Sequence, residues 1–155
     1  IFFRLGEEQE SRSIAQAIVT RRATKTITTG TDLAEIVTHA KRRKNKKIHA
    51  ATQVFQALRM YVNDELGTLQ RMLDQVPALL GPQGRLAVIT FHSLEDRLVK
   101  NTFKAWHQSG SMTLVNKKVV KPQWTEKREN PRARSSFLRI IENTPHSKKE
   151  YQKND

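Results

Sequence analysis

The chain has 155 residues, enough for one domain or for one small domain with an appendage. It carries 28 basic and 15 acidic side chains, and this net charge of +13 favours a polyanionic partner such as nucleic acid. The absence of cysteine excludes disulfides, cysteine-based zinc sites and a thiol nucleophile. No apolar run approaches the roughly 20 residues that span a bilayer, so we expect no membrane segment. The histidines lack metal-ligand spacing, so we predict no metal site.

The basic residues are concentrated towards the two ends of the chain. Residues 1–50 have 11 basic and 5 acidic side chains and residues 100–155 have 13 and 5, whereas residues 51–99 have 4 and 5. The near-neutral middle has the strongest apolar periodicity and is predicted to hold the core. The chain begins at Ile1 without an initiator methionine, which favours a fragment of a longer protein.

Three helices are predicted in the first part of the chain. Residues 7–23 have one apolar face and three carboxylates in the first turn. A second, amphipathic helix is predicted to begin at Thr31 or Asp32, with capping-box spacing between Asp32 and Glu35. A third begins near Ala51. Its apolar face comprises Val54, Leu58, Tyr61 and Val62.

The middle of the chain predicts a helix, a strand and a second helix. Leucine and valine recur in steps of three and four over residues 66–80, with Pro77 expected to kink or thin the last turn. The apolar run at 85–91 predicts a buried strand, and a helix follows over about 94–107. A strand that turns directly into a helix is the unit of a parallel α/β sheet, so the predicted fold class is α/β.

The last third is predicted to add strands to this sheet. Residues 112–115 and 119–120 are weak strand candidates, and residues 136–141 are a stronger terminal strand. Residues 122–134 are polar and contain proline, which predicts a loop. Residues 143–155 have nothing that could pack, so we expect a disordered tail there.

The block of six cations at residues 41–47 is the clearest electrostatic feature. Such a block would neutralise RNA phosphates with a salt-dependent affinity, and the alternative is a solvated loop. Polar side chains at near-helical spacing follow it and could bond bases or phosphates, or form an ordinary polar helix face. The candidate RNA-binding residues are Arg42, Arg43, Lys46, Lys47, His49, Gln53, Gln56 and Arg59.

A second candidate site lies at residues 91–97, which read Phe-His-Ser-Leu-Glu-Asp-Arg. These side chains follow the predicted strand, at the edge where open α/β sheets bind ligands. They could supply a general base or bind a polar substrate. In the alternative interpretation Ser93 and Asp96 cap the following helix, and Glu95 and Arg97 are surface charges.

A third candidate is the segment Asn130–Ser135, which places Arg132 and Arg134 just before the terminal strand. Arginine pairs with phosphate through two parallel hydrogen bonds, so the segment could clamp a phosphate group. A turn that happens to carry two arginines is the equally simple alternative.

Taken together, these segments closely resemble the bacterial 16S ribosomal RNA (cytosine-N4)-methyltransferases, a family of S-adenosylmethionine-dependent enzymes. The most specific matches are Phe91–Arg97 and Asn130–Ser135, and the matches follow family order over residues 1–142. The other matching segments are Gly6–Glu8, Ile14–Ile18, Lys47–Arg59, Val62–Leu66 and Gly84–Leu86. Ala50, Gln53 and Gln83 depart from the residues usual in the family.

The resemblance implies that residues 1–62 are most of a helical inserted domain for substrate recognition. It implies that residues 63–142 are the C-terminal part of a class I, Rossmann-like methyltransferase sheet. The family's Gly-Gly-His cofactor loop and acidic ribose-binding residue have no counterpart here, so most of the S-adenosylmethionine site is expected outside this chain. The substrate would be the decoding region of 16S rRNA in the small ribosomal subunit, in the cytoplasm.

The resemblance also directs attention to single residues. His92 and Glu95 are the expected catalytic contacts with the cytosine, because Ser93 and Asp96 are expected to cap the helix. Arg97, with the arginines of the Asn130–Ser135 segment, is expected to bind RNA. An alternative function is a basic RNA-binding or ribosome-associated module without chemistry, which the presence of a cofactor half would exclude. The oligomeric state is open, a homodimer included.

Overall fold

The computed structural model describes residues 1–42 and 48–144, and the chain divides into unit 1 (Ile1–Glu65) and unit 2 (Leu66–Asp155). The predicted boundary lies slightly earlier, after Val62. Among the described residues no helix is long and apolar enough to cross a membrane. The elements in chain order are α1 (Phe2–Gly6), α2 (Ser11–Thr24), α3 (Gly30–Ala40), α4 (Thr52–Val62), α5 (Glu65–Leu79), β1 (Arg85–Thr90), α6 (Ser93–Ser109), β2 (Thr113–Leu114), α7 (Trp124–Glu129), a 3₁₀ helix (Pro131–Ser135) and β3 (Phe137–Glu142).

The start of the chain differs from the helix predicted over residues 7–23, because α1 ends at Gly6 and α2 begins only at Ser11. Gly6 lies against α4 so closely that a Cβ atom there would approach the carbonyl oxygen of Gln53 to 2.4 Å. Glu7 then takes a left-handed conformation with φ of 50°. This tertiary contact interrupts the helix and leaves the three carboxylates between α1 and α2.

The second predicted helix is confirmed as α3, but its cap lies earlier than predicted. The side chain of Thr29 accepts a hydrogen bond from the backbone N–H of Asp32 at 3.0 Å. The Asp32 carboxylate accepts in return from the backbone N–H of Thr29 at 3.1 Å. Asp32 is therefore the second half of a capping box rather than the cap itself.

The core of unit 1 is formed by Ile14, Val37, Ala51 and Val54, all fully buried. Helix α1 packs on α4 and α2 packs on α3. The predicted apolar face of α4 is wrong at its end, where Tyr61 and Val62 are 61% and 77% exposed. The helix instead buries Ala57, beside which Gly6 of α1 packs, and Met60.

The sheet of unit 2 has three strands in the order β1–β3–β2, and both outer strands are antiparallel to β3. Strands β1 and β2 therefore run in the same direction, joined through α6, as a strand–helix–strand unit requires. The expectation that β1 pairs with a parallel neighbour is not met in the described part of the chain, because β3 inserts between β1 and β2. The register pairs Leu86 with Ile141 and Thr90 with Phe137.

Helices α5 and α6 pack against one face of this sheet. The core that they form comprises Leu73, Val76, Val99, Phe103, Met112 and Ile141. The predicted apolar face of α5 is confirmed by Leu73 and Val76, and the helix predicted over about 94–107 is confirmed as α6. On the other face Ile89 remains 58% exposed. Among the residues that the structure describes, the outer edge of β1 has no neighbouring strand.

The prediction that residues 122–134 form a loop is wrong for most of the segment. Helix α7 lies within it, and the 3₁₀ helix begins there. The Asn130 side chain accepts a hydrogen bond from the backbone N–H of Arg132 at 3.2 Å, and Pro131 occupies the first helical position. Both features favour a helical start. The weak strand candidate at 119–120 is present only as an isolated bridge between Val120 and Leu138.

The described chain continues past the predicted start of the tail at residue 143. The backbone N–H of Asn143 donates to the carbonyl of Gly84 at 2.8 Å, and its side-chain amide donates to the carbonyl of Leu80 at 2.6 Å. The hydroxyl of Thr113 donates to the carbonyl of Thr144 at 2.6 Å. The rest of the predicted tail, residues 145–155, lies outside the described residues.

Candidate functional site

The strand–helix corner, residues 90–96, joins the end of β1 to the start of α6. His92 is the N-cap of α6, and its Nδ1 atom accepts a hydrogen bond from the backbone N–H of Glu95 at 3.3 Å. The prediction that Ser93 caps this helix is wrong, since Ser93 is already its first residue. An imidazole nitrogen therefore takes the role that sequence statistics give to a hydroxyl.

Glu95 closes the other side of the strand–helix corner. Its Oε2 atom accepts a hydrogen bond from the backbone N–H of Phe91 at 3.0 Å, and its Oε1 atom lies 3.0 Å from Nε2 of His92. Burial acts to raise the pKa of Glu95, but the His92 imidazole and the Phe91 N–H outweigh it, so the pKa lies below its usual value. The structure thus brings the two predicted catalytic residues into contact and keeps the carboxylate ionised at neutral pH.

Asp96 does not cap the helix either. Its two carboxylate oxygens accept hydrogen bonds from Nε and Nη2 of Arg139 on β3, at 2.8 and 2.9 Å. Both side chains are largely buried, with 14% of Arg139 and 18% of Asp96 exposed. Of the two acidic groups in the first turn of α6, Asp96 ties the helix to the sheet, and Glu95 is the one that faces His92.

Thr90 is a residue of this site that the sequence interpretation did not single out. It is the last residue of β1 and only 4% exposed, and its Oγ1 atom has no hydrogen-bond partner among the described residues. The Nε2 atom of His92 is also buried without a hydrogen-bond partner there, since its contact with Glu95 is misaligned for one. The sequence does hold one sign of this residue, because Thr90 is a polar side chain at the end of the apolar run that forms β1.

The two described residues of the basic block, Lys41 and Arg42, differ in what their side chains contact. Lys41 donates to Oε2 of the buried Glu8 at 2.6 Å and to the carbonyl of Ala50 at 3.2 Å, so it is part of the interior of unit 1. The Arg42 side chain is exposed, while its backbone N–H donates to Oε2 of Glu10 at 2.8 Å. The other predicted RNA-binding residues of the block, Arg43, Lys46 and Lys47, lie outside the described residues.

The predicted RNA-binding residues near and on α4 make contacts within unit 1. His49 accepts a hydrogen bond from the backbone N–H of Ala51 at 3.2 Å, just before the helix begins. Gln53 donates to the carbonyl of Glu7 at 3.3 Å. Gln56 contacts the sulfur of Met60 at 4.0 Å.

Arg59 has an acidic partner of its own. It donates to both carboxylate oxygens of Glu65, at 2.7 and 3.1 Å. Because Glu65 already balances its charge, Arg59 has less attraction left for a phosphate than an arginine without an acidic partner would have.

The predicted RNA-binding arginines of unit 2 are exposed. Arg97 lies on α6, and Arg132 and Arg134 flank the buried Ala133 in the 3₁₀ helix. Their exposure leaves these three side chains accessible to an anionic partner. The remaining predicted contacts, from Arg42 to Arg59, belong to unit 1.

The connection between β1 and α6 does not have the features of a glycine-rich cofactor turn. The connection between β1 and α6 contains no glycine, and the backbone N–H groups of Phe91 and Glu95 are already bonded to side chains of the strand–helix corner. The nearby carboxylate of Asp96 is occupied by Arg139. A dinucleotide-type site needs a glycine-rich turn with accessible N–H groups, and this connection has no such turn.

Comparison with known proteins supplies the family. The model of the MraW methylase family matches residues 1–144. The chain is 51% identical over 142 residues to the ribosomal RNA small subunit methyltransferase H of Elusimicrobium minutum, covering 92% of this chain and 48% of that protein. The proteins of the same name from Dictyoglomus turgidum and Neorickettsia sennetsu are 49% and 47% identical over 142 residues, each over 92% of this chain and over 47% and 48% of those proteins.

The chain spans about half the length of the curated relatives that it matches. Identities near 50% over nine-tenths of the chain leave no doubt about descent. The family match extends from residue 1 to residue 144 and so includes the strand–helix corner and the described arginines. This chain belongs to the MraW methylase family.

Proposed function

We propose that this chain is the substrate-side part of an enzyme that methylates the N4 amino group of a cytosine in the decoding region of 16S rRNA. The methyl donor would be S-adenosylmethionine, and the substrate would be the small ribosomal subunit in the cytoplasm. The family match and the names of the relatives support RNA methylation. The contact between His92 and Glu95 at the end of β1 is the observation that carries the assignment of the substrate side.

In this proposal unit 1 is the helical inserted domain and unit 2 is the end of a larger, Rossmann-like sheet. Two features of unit 2 support the second part. The outer edge of β1 has no neighbouring strand in the described chain, and Ile89 beside it is exposed. Natural proteins normally cover, pair or charge such an edge. Further strands from the half that the relatives have in addition would do so here.

The chemistry asked of this chain's residues is to orient the amine and to accept a proton. The lone pair of the cytosine amine is delocalised into the ring, so the amine is a weak nucleophile and must be held in line. The ionised carboxylate of Glu95 can accept a hydrogen bond from this amine and take up its proton. His92, oriented by the backbone N–H of Glu95, presents its Nε2 atom on the same side.

RNA binding in this proposal is mainly electrostatic. Among the predicted RNA-binding residues that the structure describes, Arg42, Arg97, Arg132 and Arg134 have exposed side chains in unit 1 and unit 2. The proposal retains Arg43, Lys46 and Lys47, together with weaker contributions from His49, Gln53, Gln56 and Arg59. Each phosphate contact released would lower the salt dependence of binding by about one unit of slope.

A second candidate function is an RNA-binding module without chemistry. The observation in its favour is that the connection between β1 and α6 contains no glycine-rich turn for a cofactor. Both functions require the basic surface, so RNA affinity does not separate them. They differ in whether His92 and Glu95 matter for methyl transfer.

The decisive experiment places this chain in a complete enzyme. In a chimera, it replaces the 142 matching residues of the Elusimicrobium minutum relative. Transfer of a radioactive methyl group to small ribosomal subunits is measured for the chimera and for its His92→Ser and Glu95→Gln variants. The exposed residues His39 and Glu35 provide matched controls as His39→Ser and Glu35→Gln.

We expect turnover to fall at least about tenfold in both site variants, as loss of a proton acceptor or positioning group does, and to stay unchanged in the controls. Nuclease digestion and mass spectrometry of the product should place the methyl group on cytosine N4. An active chimera that is indifferent to both site substitutions would contradict the catalytic assignment. A chimera that binds RNA but transfers no methyl group would favour the second candidate.

A further inference from the structure

Thr90 is a buried polar residue at the carboxyl end of β1, where only 4% of it is exposed. Strand alternation places it on the same face of β1 as Leu86 and Val88, which pack against the helix-covered core. Its hydroxyl has no hydrogen-bond partner among the described residues. A buried hydroxyl without a partner destabilises the folded state, so such a group is expected to have a partner under working conditions.

The Nε2–H group of His92 is a second buried polar group of this site without a hydrogen-bond partner among the described residues. Because Nδ1 accepts the hydrogen bond from the Glu95 backbone, the proton of the neutral ring is assigned to Nε2. That N–H is buried, with 12% of the side chain exposed, and has no hydrogen-bond partner in the described chain. Two buried polar atoms without a hydrogen-bond partner among the described residues thus belong to the last residue of β1 and to the N-cap of α6.

Glu95 adds an acceptor to these groups. Its Oε1 atom lies 3.0 Å from Nε2 of His92, so a carboxylate oxygen and an N–H donor stand side by side. Cytosine presents the complementary pattern, with the N4 amine as donor next to ring nitrogen N3 as acceptor. Uracil presents the reverse pattern, with N3–H as donor next to the O4 acceptor. Buried polar groups reject a ligand that leaves them unpaired.

We infer that Thr90 is a substrate-binding residue whose hydroxyl, together with Nε2 of His92 and Oε1 of Glu95, recognises the hydrogen-bonding edge of a cytosine. This inference rests on the proposed function, because the base is taken from the proposed substrate. In this arrangement Glu95 accepts from the N4 amine and His92 donates to N3. The Thr90 hydroxyl, which can both donate and accept, takes a third hydrogen bond from the base.

The test uses the 155-residue chain with cytidine 5′-monophosphate and uridine 5′-monophosphate as probes. Isotope-labelled protein is titrated with each nucleotide, and the backbone amide signals are followed by nuclear magnetic resonance. Two substitutions separate the hydroxyl of Thr90 from its methyl group. Thr90→Val keeps the shape and removes the hydroxyl, whereas Thr90→Ser keeps the hydroxyl and removes a methyl group.

We expect the cytidine nucleotide to shift the signals of residues 90–96 at millimolar concentration and to bind more tightly than the uridine nucleotide. Thr90→Val should weaken cytidine binding about three- to tenfold, the effect of one hydrogen bond, and reduce the preference over uridine. Thr90→Ser should restore both. The melting temperature of Thr90→Val should not fall, because the hydroxyl has no internal partner to lose.

Three results would overturn the inference. The first is a titration in which residues 90–96 do not respond to cytidine, even where nucleotides shift signals elsewhere. The second is unchanged affinity and preference in Thr90→Val. The third is a melting temperature several degrees lower in Thr90→Val than in wild type, which would reveal an internal partner for the hydroxyl. None of these depends on methyl transfer by the chimera, so failure of the proposed function is recognised separately.

Discussion

Arg139 on β3 and Asp96 on α6 form a two-point ion pair, with Nε and Nη2 of the guanidinium 2.8 and 2.9 Å from the two carboxylate oxygens. The pair joins the middle strand of the sheet to the helix that begins with the strand–helix corner. Both side chains are mostly buried, so solvent screens their attraction less than at the surface. The position of α6 on the sheet, and with it the setting of His92 and Glu95, depends on this contact.

The first prediction concerns this ion pair. Asp96→Asn should lower the free energy of unfolding by about 2 kcal/mol, because it weakens two charge-assisted hydrogen bonds and leaves Arg139 partly buried without a counter-charge. The matched control is Arg85→Ala, which removes an ion pair with Glu142 whose arginine is 65% exposed and which should cost under about 1 kcal/mol. Urea denaturation measures both. Equal losses in the two variants would contradict the structural role assigned to Arg139 and Asp96.

The second prediction separates the two roles of His92. His92→Ala removes the N-cap of α6 and should destabilise the chain by about 1 kcal/mol, whereas His92→Ser replaces one capping side chain with another and should stay within about 0.5 kcal/mol of wild type. Thermal unfolding followed by circular dichroism measures this. If Ala and Ser variants melt together, the hydrogen bond from the Glu95 N–H does not stabilise the helix start.

The third prediction is a pH dependence at Glu95. Its folded-state pKa is below the ordinary value of 4.5, so the ionised carboxylate stabilises the folded state above pH 4.5. This contribution is lost as the pH falls from 4.5 through the folded-state pKa. Glu95→Gln should therefore be less stable than wild type at pH 7, and the difference should shrink in acid below pH 4.5. Melting temperatures measured from pH 7 to about pH 3 test this, with Glu35→Gln as an exposed control; a constant difference would refute it.

The fourth prediction contrasts two neighbours in the basic block. Lys41→Ala leaves the buried carboxylate of Glu8 without its cation and should destabilise unit 1 by about 3 kcal/mol. Arg42→Ala should change stability by less than about 0.5 kcal/mol, since among the described residues its backbone N–H is the bonded group and its side chain is exposed, but it should lower the salt slope of RNA binding by about one unit. Denaturation and binding at several salt concentrations measure these effects. A reversed pattern would show that Lys41, not Arg42, faces the RNA.

Local pattern was sufficient for much of the fold. The apolar face of α5, the helix α6, the strand at residues 85–90 and the terminal strand follow from local pattern, because one face of each element has to be buried. The same kind of evidence failed where a neighbour decides the outcome. Residues 7–10 have good helical pattern, yet the approach of Gly6 to α4 breaks the helix there. Residues 122–134 look like a loop, yet Asn130 and Pro131 start a short 3₁₀ helix within them.

The sequence by itself determined the family, the basic character, the two-part organisation and the choice of His92 and Glu95 as candidates, because motif, composition and periodicity are properties of the chain read in order. Only the tertiary structure decided what each side chain contacts. It assigned the cap of α6 to His92 rather than Ser93, committed Asp96 to Arg139 and withdrew Lys41 into an ion pair with Glu8. It also revealed Thr90, because an unpaired buried hydroxyl arises from the packing of residues distant in the chain, which no local pattern encodes.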